Sequence, residues 1–424
     1  MNERSADAVN AGFGLPGSVV GESTPAGACA DAPAAGRLFL GMLARLRMGQ
    51  LSVVLPSGAR LHFGNAQATP VAELRLHDWQ ACGRILSAGD IGFGEAVRRG
   101  WAGSPDLTAL LRLAIANETA IESAVWGGRL LRSWYRVRHA LRPNTRSGSR
   151  DNIHAHYDLG NAFYRLWLDE SWTYSSALFQ GDYSLSLTAA QHAKYQRVID
   201  VLALRPGMRV LEIGCGWGGF AQYAGERGIC VHGVTISPAQ LEVGRKRIAA
   251  AGLDALVQLE LRDYRDIVGQ YDAIVSIEMF EAVGYAYWDG WFQSLDRLLV
   301  PQGRALVQSI TIEDERFERY RTTSDFIRHY IFPGGMLPSV KRFVGAAARR
   351  GLVTRDVMAF GKDYAETMRR WRERFDAARE SILAQGFDEA FLRTWRLYLA
   401  YCEAGFDEGR TDVVQFLLER GTSR

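Results

Sequence analysis

The second half of the chain alternates short apolar runs with helical segments, and this alternation limits the possible folds more than any other feature. Five apolar runs predict strands at 209–214, 229–236, 256–263, 271–278 and 303–312. Helical spacing of apolar residues lies between them, for example over 237–252. Strands and helices that alternate at this spacing join through right-handed crossovers into a mostly parallel sheet. The sequence therefore predicts an α/β fold with a Rossmann-like sheet.

The remainder of the chain divides by composition. Residues 1–36 are rich in Ala, Gly, Ser and Pro and have few large apolar side chains, so we expect a disordered tail. Residues 37–125 predict a smaller α+β domain, with two strands around a Pro-Ser-Gly turn in 51–64 and a helix over 106–117. Residues 151–424 form the α/β domain.

The segment 126–150 is a basic linker between these two domains. From Arg129 to Arg150 it contains seven arginines, interspersed with Trp and Tyr, and no acidic residue. Arginine beside aromatic residues suits the anionic surface of a phospholipid bilayer. A solvated linker helix is an equal alternative, and no recognition motif supports nucleic acid.

Composition and cysteine usage limit the compartment. The chain of 424 residues is 47% hydrophobic and 23% charged with a formal charge of +3, which is typical of a globular protein. Five cysteines without a C-x-x-C pair argue against a disulfide framework or a metal site and favour a reducing cytoplasm. The sequence contains no apolar run of about 18 residues, so we expect no membrane-spanning helix, and it shows no pattern of a leader peptide. We expect a cytoplasmic protein that associates peripherally with the inner face of the membrane.

The stretch "VLEIGCGWGGF" (210–220) follows the first predicted strand of the sheet and opens a helix, which is the context of a nucleotide-type ligand. Gly214, Gly216 and Gly219 spell G-x-G-x-x-G, although a tight structural turn is the simpler alternative. A dinucleotide site would place an acid at the end of the second strand. That strand ends in "VTISPAQ", where Gln240 is able to bind a ribose hydroxyl instead.

Glu212, just before the glycines, favours a cationic ligand over a pyrophosphate. S-adenosylmethionine carries an ammonium and a sulfonium group and no phosphate. The E-x-G-x-G-x-G pattern of this loop resembles motif I of class I methyltransferases, in which the end of the third strand contacts adenine; here that end is Asp263-Tyr264. The residues predicted from this loop and the strand ends are Glu212, Gly214, Gly216, Trp217, Gly218, Thr235, Gln240, Asp263 and Tyr264.

Six longer motifs, together with the glycine loop, resemble one family, the cyclopropane-fatty-acyl-phospholipid synthases and their mycolic acid relatives, over most of the chain from about residue 38. They are "HAHYDLGNAFYRLWLDESWTYSSALF", "VTISPAQ", "SIEMFEAVG", "YIFPGGMLPS", "KDYAETMRRW" and "YCEAGF". The resemblance implies methyl(ene) transfer from S-adenosylmethionine to the cis double bond of an unsaturated phospholipid acyl chain, which forms a cyclopropane. It also implies that Tyr174 and Ser175 bind the amino acid end of the cofactor.

The same resemblance implies a bicarbonate ion that acts as the base. Its implied ligands are Glu281, Tyr364 and the backbone of Ile310, whereas two further ligands depart from the family. Ser176 replaces cysteine in "YSSA", and Gln308 replaces histidine in "VQSIT". Neither takes up a proton near neutral pH as histidine does. Two outcomes stay open: an altered anion site that still closes a ring, or proton loss that gives a methyl-branched or methylene-bearing chain.

Methyl transfer to an alkene leaves a carbocation, and aromatic faces stabilise such a cation. Tyr157, Tyr330 and Phe332 are the predicted tunnel residues, with ordinary core packing as the alternative. Cys402 matches the family's C-terminal cysteine, although direct methyl transfer needs no thiolate and a small core residue is the alternative.

Two other classes of function remain possible from the sequence. The glycine loop also serves methyltransferases of soluble small molecules, and a lipid-binding protein without activity is a third possibility. The domain at 37–125 resembles the family's small extra domain, which is associated with dimerisation and lipid handling. We therefore expect a homodimer, a phospholipid bilayer as partner and no nucleic acid.

Overall fold

The computed structural model of the chain describes residues 31–65, 67–122 and 159–421. The basic linker 126–150 and Tyr157 lie outside these ranges, as does nearly all of the predicted tail. The first helix begins at Ala34, so the last residues assigned to the tail are helical.

The N-terminal domain is a four-stranded sheet covered by helices. Its sheet has the order β2-β1-β3-β4, with β1 antiparallel to β2 and parallel to β3. The strands are β1 (Gln50–Val54), β2 (Arg60–Gly64), β3 (Val71–Leu76) and β4 (Ala102–Gly103). The helices are α1 (Ala34–Leu43), α2 (Gln80–Arg98), α3 (Leu107–Ala116) and α4 (Glu118–Glu122). The predicted hairpin and the predicted helix are confirmed as β1, β2 and α3.

The larger sheet has seven strands in the order β10-β11-β9-β8-β5-β6-β7. The strands are β5 (Arg209–Ile213), β6 (Cys230–Thr235), β7 (Val257–Leu261), β8 (Tyr271–Ile277), β9 (Leu299–Ile312), β10 (Leu352–Ala359) and β11 (Thr411–Arg420). Strands β5 to β9 are parallel, which confirms all five predicted strands, and β10 and β11 add an antiparallel edge. Val210 packs into one apolar cluster and Leu211 into another, so both sheet faces are covered and the strands read as continuous apolar runs.

Helices connect and cover these strands. They are α5 (Asn161–Arg165), α6 (Leu187–Leu202), α7 (Gly219–Gly225), α8 (Pro238–Ala250), α9 (Trp288–Leu298), α10 (Asp314–Thr322), α11 (Val340–Arg349), α12 (Gly361–Ala377), α13 (Arg379–Ala384) and α14 (Glu389–Asp407). Helix α8 confirms the predicted helix; Ser237 caps it by accepting a hydrogen bond from the Gln240 amide, and Pro238 opens it. Over the three described ranges, no helix has the length and apolarity needed to cross a membrane.

The topology places a cleft at the carboxyl ends of the strands in the larger sheet. Strand β5 lies between β6 and β8, so the connections leave it in opposite directions, and ligands bind at the carboxyl ends of the strands at such a point. The N-terminal domain packs against α14 beside this cleft. Thr108 of α3 donates a hydrogen bond of 3.1 Å to the buried carboxylate of Glu403 on α14.

Candidate active site

A cavity of about 1280 Å³ opens at the carboxyl ends of β5, β6 and β8 and extends between the two domains. Glu212 and Gln240 line it at the end of the glycine loop. Ile91 of α2 and Leu111 of α3 line it on the side of the N-terminal domain. One continuous space therefore joins the predicted cofactor site to an apolar wall shared by both domains.

The glycine loop needs its glycines for conformation and for space. Gly214, Gly216 and Gly218 have φ angles of 86°, 51° and 79°, a region that residues with a side chain seldom adopt. A Cβ at Gly214 would lie 2.9 Å from Cγ of Met279. Gly218 precedes α7, and a Cβ there would lie 3.3 Å from Leu259, so this glycine supports the loop from behind. At Gly214 and Gly216 the loop thus presents its backbone to the cavity without a side chain.

Glu212 stands at the end of β5 with a buried carboxylate that faces the cavity. Its Oε2 atom has no hydrogen-bond partner in the described part of the chain. Burial raises the pKa of Glu212 to about 8, and the nearby positive charge of Lys194 opposes that rise. A buried polar atom without a partner calls for a ligand group, and an ammonium group fits this position.

The residues at and after the ends of β6 and β7 supply polar groups to the part of the cavity where the cofactor is predicted to bind. The Thr235 hydroxyl donates a hydrogen bond of 3.1 Å to Oε1 of Gln240, and both residues line the cavity. Asp263 accepts hydrogen bonds from Nε and Nη2 of Arg265 at 2.8 and 2.6 Å. A bound adenine amino group would therefore share this carboxylate with Arg265. Tyr264 lines the cavity beside it.

Tyr174 and Ser175 lie in the loop between α5 and α6, and both line the cavity. The Tyr174 hydroxyl lies 2.7 Å from the hydroxyl of Tyr398. Lys194 of α6 is buried and donates to Oγ of Ser175 at 2.6 Å and to Oε1 of Gln191 at 2.7 Å. Burial lowers the pKa of Lys194 to about 7. Lys194 was not predicted from the sequence, because nothing in the pattern of α6 distinguishes it from a solvated lysine.

With the exception of Gly218, every predicted cofactor residue lines this cavity. They are Tyr174, Ser175, Glu212, Gly214, Gly216, Trp217, Thr235, Gln240, Asp263 and Tyr264. Residues distant in the chain are thus brought around one space, while their individual roles in binding stay predictions.

A second residue that the sequence analysis missed, Glu278, occupies the centre of the predicted anion site. Its Oε1 accepts hydrogen bonds from the backbone nitrogen of Ser176 at 2.9 Å and from Nε2 of Gln308 at 2.7 Å. Its Oε2 accepts one from the Tyr364 hydroxyl at 2.5 Å. Gln415 donates to Oε1 of Gln308 at 3.0 Å and so orients that amide. Three predicted bicarbonate ligands therefore converge on a carboxylate of the chain itself.

Glu281 and Ile310 form an adjoining pair. Oε1 of Glu281 accepts a hydrogen bond from the Ile310 backbone nitrogen at 2.5 Å and one from Oγ of Ser309 at 3.1 Å. Burial and the neighbouring charge of Glu278 raise the pKa of Glu281 to about 8. Since the predicted donors are already bonded to Glu278 and Glu281, this arrangement does not fit an added bicarbonate ion.

The backbone at Glu278 is unusual. Its φ is 50°, in the left-handed region that glycine adopts freely and other residues enter at a cost. Burial raises the pKa of Glu278, while Lys194 and the hydrogen bond from Tyr364 oppose the rise. The pKa of Tyr364 is raised well above its usual value by burial and by the charge of Glu278, so its hydroxyl stays a donor. The one feature of the sequence that could have indicated Glu278 is its place at the carboxyl end of β8, the strand that lies beside the glycine loop.

The remaining predicted residues differ in position. Phe332 lines the cavity, and its ring stacks on Tyr174 with centroids 6.5 Å apart. The ring of Tyr330 packs on Phe326 at 5.5 Å, and Tyr330 is absent from the cavity lining. Cys402 lines the cavity, and burial raises the pKa of its thiol far above the usual value, which keeps it protonated.

Comparison with known proteins adds a family to this geometry. The family model described as mycolic acid cyclopropane synthetase matches residues 144–416. The chain is 40% identical to the tuberculostearic acid methyltransferase UfaA1 of Mycobacterium tuberculosis, over 85% of this chain and 87% of that one. It is 35% identical to the cyclopropane-fatty-acyl-phospholipid synthase of Escherichia coli, over 82% and 88%. The crystal structure of mycolic acid cyclopropane synthase CmaA1 complexed with SAH and CTAB superposes with a TM-score of 0.60 at 32% identity, over 64% of this chain and 98% of that one.

Proposed function

This chain belongs to the mycolic acid cyclopropane synthetase family and is an S-adenosylmethionine-dependent methyltransferase, and from that premise we propose that it methylates the cis double bond of an unsaturated phospholipid acyl chain. The product carries one additional carbon, and a cyclopropane ring is the first candidate. The observation that carries the proposal is the single cavity that runs from the glycine loop to the apolar wall between the two domains.

The two ends of this cavity suit the two reactants. S-adenosylmethionine, when bound, supplies a methyl group on a positively charged sulfur. Glu212 would hold its ammonium group and Gln240 its ribose, which leaves the methyl group directed toward the middle of the cavity. An acyl chain would lie against Ile91, Leu111 and Phe332. Such a chain offers a double bond and no polar acceptor, as the apolar wall requires.

The aromatic residues at the middle of the cavity support an acceptor that becomes a cation. Tyr174, Phe332 and Tyr398 all line the cavity, with the Phe332 ring 6.1 Å from the Tyr398 ring. Each aromatic face contributes on the order of 1–2 kcal/mol to a nearby desolvated cation. The same walls exclude water, which would otherwise capture a carbocation.

A second candidate product is a methylene-bearing acyl chain. Two observations favour it: the site holds Glu278 where the resemblance implies bicarbonate, and the 40% identical relative is named a methyltransferase for tuberculostearic acid. Both products lose one proton after methyl transfer, so they have the same mass. A saturated methyl branch would need a separate two-electron reduction afterwards.

The proposal includes peripheral binding of a homodimer to the cytoplasmic face of the membrane. It rests on the arginines of 126–150 and on the extra domain. Flotation with vesicles of anionic phospholipid should recover the protein at low salt and release it at high salt. Failure to float at any salt concentration would contradict the membrane part, and a single-protomer mass in solution would contradict the dimer.

The function is tested with purified protein, S-adenosylmethionine and vesicles of a cis-unsaturated phospholipid, with a saturated phospholipid as the matched control. We expect mass spectrometry to find a gain of one CH₂ in the unsaturated lipid alone. Proton NMR then distinguishes cyclopropane protons from those of an exocyclic methylene. Binding of S-adenosylmethionine without any change in the lipid would contradict the acceptor.

A further inference from the structure

We propose that the Glu278 carboxylate is the base that removes a proton from the carbon added to the acyl chain, so that this enzyme needs no dissolved bicarbonate. The inference rests on the proposed function, because it assigns the proton-removing step of that reaction to one residue.

The hydrogen bonds around Glu278 form a built anion site with the anion supplied by the chain. Ser176, Gln308 and Tyr364 come from three separate segments, and each directs a donor at this carboxylate at 2.9, 2.7 and 2.5 Å. Glu278 also lines the cavity, so its carboxylate borders the space in which the reactants meet. A free anion of the same charge would compete with Glu278 for the same donors.

The strained backbone indicates that the position is held for a purpose. A glutamate at φ 50° adopts a backbone conformation that residues with a side chain enter at a cost, and such strain persists where the surroundings and the function require it. The Glu278 amide donates to the Gln308 carbonyl at 2.8 Å, which fixes this conformation between β8 and β9. Glycine would adopt the same backbone freely and would leave the three donors without a carboxylate.

Three titratable groups face Glu278 from the elements around it. Lys194 of α6 places a positive charge near the carboxylate, Tyr364 of α12 donates to it, and Glu281 lies close enough for the charge of Glu278 to raise the pKa of Glu281. Burial, opposed by Lys194, raises the pKa of Glu278 above its usual value. A carboxylate of raised pKa is a better proton acceptor than an exposed one.

The proposed step balances with the groups present. The electron pair of the acyl double bond forms the new carbon–carbon bond, and the sulfur keeps the pair of the broken carbon–sulfur bond. A cation remains on the neighbouring chain carbon. Glu278 then accepts a proton from the added carbon, and the released carbon–hydrogen pair closes the ring. If a hydride shift comes first, the same pair forms the methylene double bond instead.

The test compares Glu278→Gly and Glu278→Gln with the wild-type enzyme in buffer freed of carbon dioxide. Glu242→Gln, at an exposed carboxylate of α8, is the matched control. Calorimetry with S-adenosylmethionine checks that each variant is folded, and we expect dissociation constants within about threefold of wild type.

We expect wild-type turnover to be independent of added bicarbonate. Both Glu278 variants should lose at least about 100-fold in turnover, the scale of a general base. Added bicarbonate should restore Glu278→Gly and leave Glu278→Gln inactive.

Three results would overturn the inference. One is a wild-type enzyme that needs bicarbonate. Another is Glu278→Gly that is fully active without any added anion, and the third is Glu278→Gly that stays inactive at every bicarbonate concentration. If the wild type methylates no phospholipid, the proposed function fails and calorimetry with bicarbonate alone tests Glu278. Bicarbonate that binds to Glu278→Gly but not to the wild type supports the inference. Bicarbonate that binds equally to both proteins, or to neither, contradicts it.

Discussion

At the scale of single residues, Glu212 is predicted to determine the affinity for S-adenosylmethionine. Its buried Oε2 has no partner in the described chain, so a bound ammonium group would satisfy it. Glu212→Gln removes a hydrogen bond between charged groups, which is worth about 1.5–3 kcal/mol. We therefore expect calorimetry to find binding about 10- to 100-fold weaker. Glu242→Gln should bind as wild type does, and an unchanged affinity in Glu212→Gln would show that the ammonium lies elsewhere.

The buried carboxylates predict that the stability of the ligand-free protein falls between pH 5 and pH 7. Glu212 and Glu281 each have a pKa of about 8 in the folded protein against 4.5 as the ordinary value. Above pH 4.5 the unfolded chain releases these protons while the folded chain keeps them, so rising pH favours unfolding. Each group contributes a slope of up to about 1.4 kcal/mol per pH unit. Urea unfolding of Glu212→Gln should give a shallower slope over this window, and an unchanged slope would contradict the shift.

Single residues also show how far sequence reasoning reaches. Gly214 and Glu212 were identified because a glycine loop after a strand has a fixed geometry that its letters report. Glu278 was missed, although it lies inside a quoted motif, because its role depends on donors from three distant segments. Lys194 was missed for the same reason: a buried lysine and a solvated one look alike in a sequence.

At the scale of elements, helix α12 is predicted to hold the loop that carries Ser175 and Ser176. Buried Asp363 accepts hydrogen bonds from the amides of Phe179 and Gln180 at 2.6 and 2.8 Å. Asp363→Ala leaves both amides without their acceptor, which should lower the free energy of unfolding by about 2–4 kcal/mol.

Hydrogen exchange measures this effect directly, as faster exchange of the 174–180 amides in Asp363→Ala. The matched control is Asp356→Ala, at a carboxylate that is half exposed and pairs with Arg197 across the surface. It should cost less than about 1 kcal/mol. Equal protection of 174–180 in both variants would show that α12 does not hold the loop.

Elements were predictable where one pattern extends along them. Strands β5, β6 and β8 are mostly buried on both faces and read as apolar runs. Strand β10 (Leu352–Ala359) lies at the sheet edge and is mostly exposed, so it contains polar residues and lacks the apolar run that would predict a strand. Strand β11 (Thr411–Arg420) was not predicted, because its antiparallel pairing with β9 is a long-range contact that no local pattern reports.

At the scale of the whole molecule, Glu403 is predicted to join the N-terminal domain to the α/β domain. This buried carboxylate lies 3.2 Å from Nε of Arg369 and 3.0 Å from Nε of Arg372, and it accepts from Thr108 of α3. Glu403→Ala removes a buried acceptor from Thr108 and from two partly exposed guanidinium groups, which should cost about 1.5–3 kcal/mol.

Limited proteolysis should then cleave the N-terminal domain faster, and lipid methylation should fall more than binding of S-adenosylmethionine. Glu408→Ala is the matched control, because it removes an exposed pair with Arg112 across the same interface and should cost less than about 1 kcal/mol. Equal proteolysis of the two variants would contradict a special role for Glu403.

The cavity between the domains has a consequence for how the molecule melts. Residues of both domains line it, Ile91 and Leu111 from the N-terminal domain and Phe332 from the α/β domain. An acyl chain in that space touches both sides at once and therefore adds contacts that exist only while both are folded. Lipid bound there stabilises the two domains together by mass action. A lipid acceptor bound there would thus act as a removable part of the hydrophobic interior, and preparations that differ in residual lipid should differ in how cooperatively they unfold.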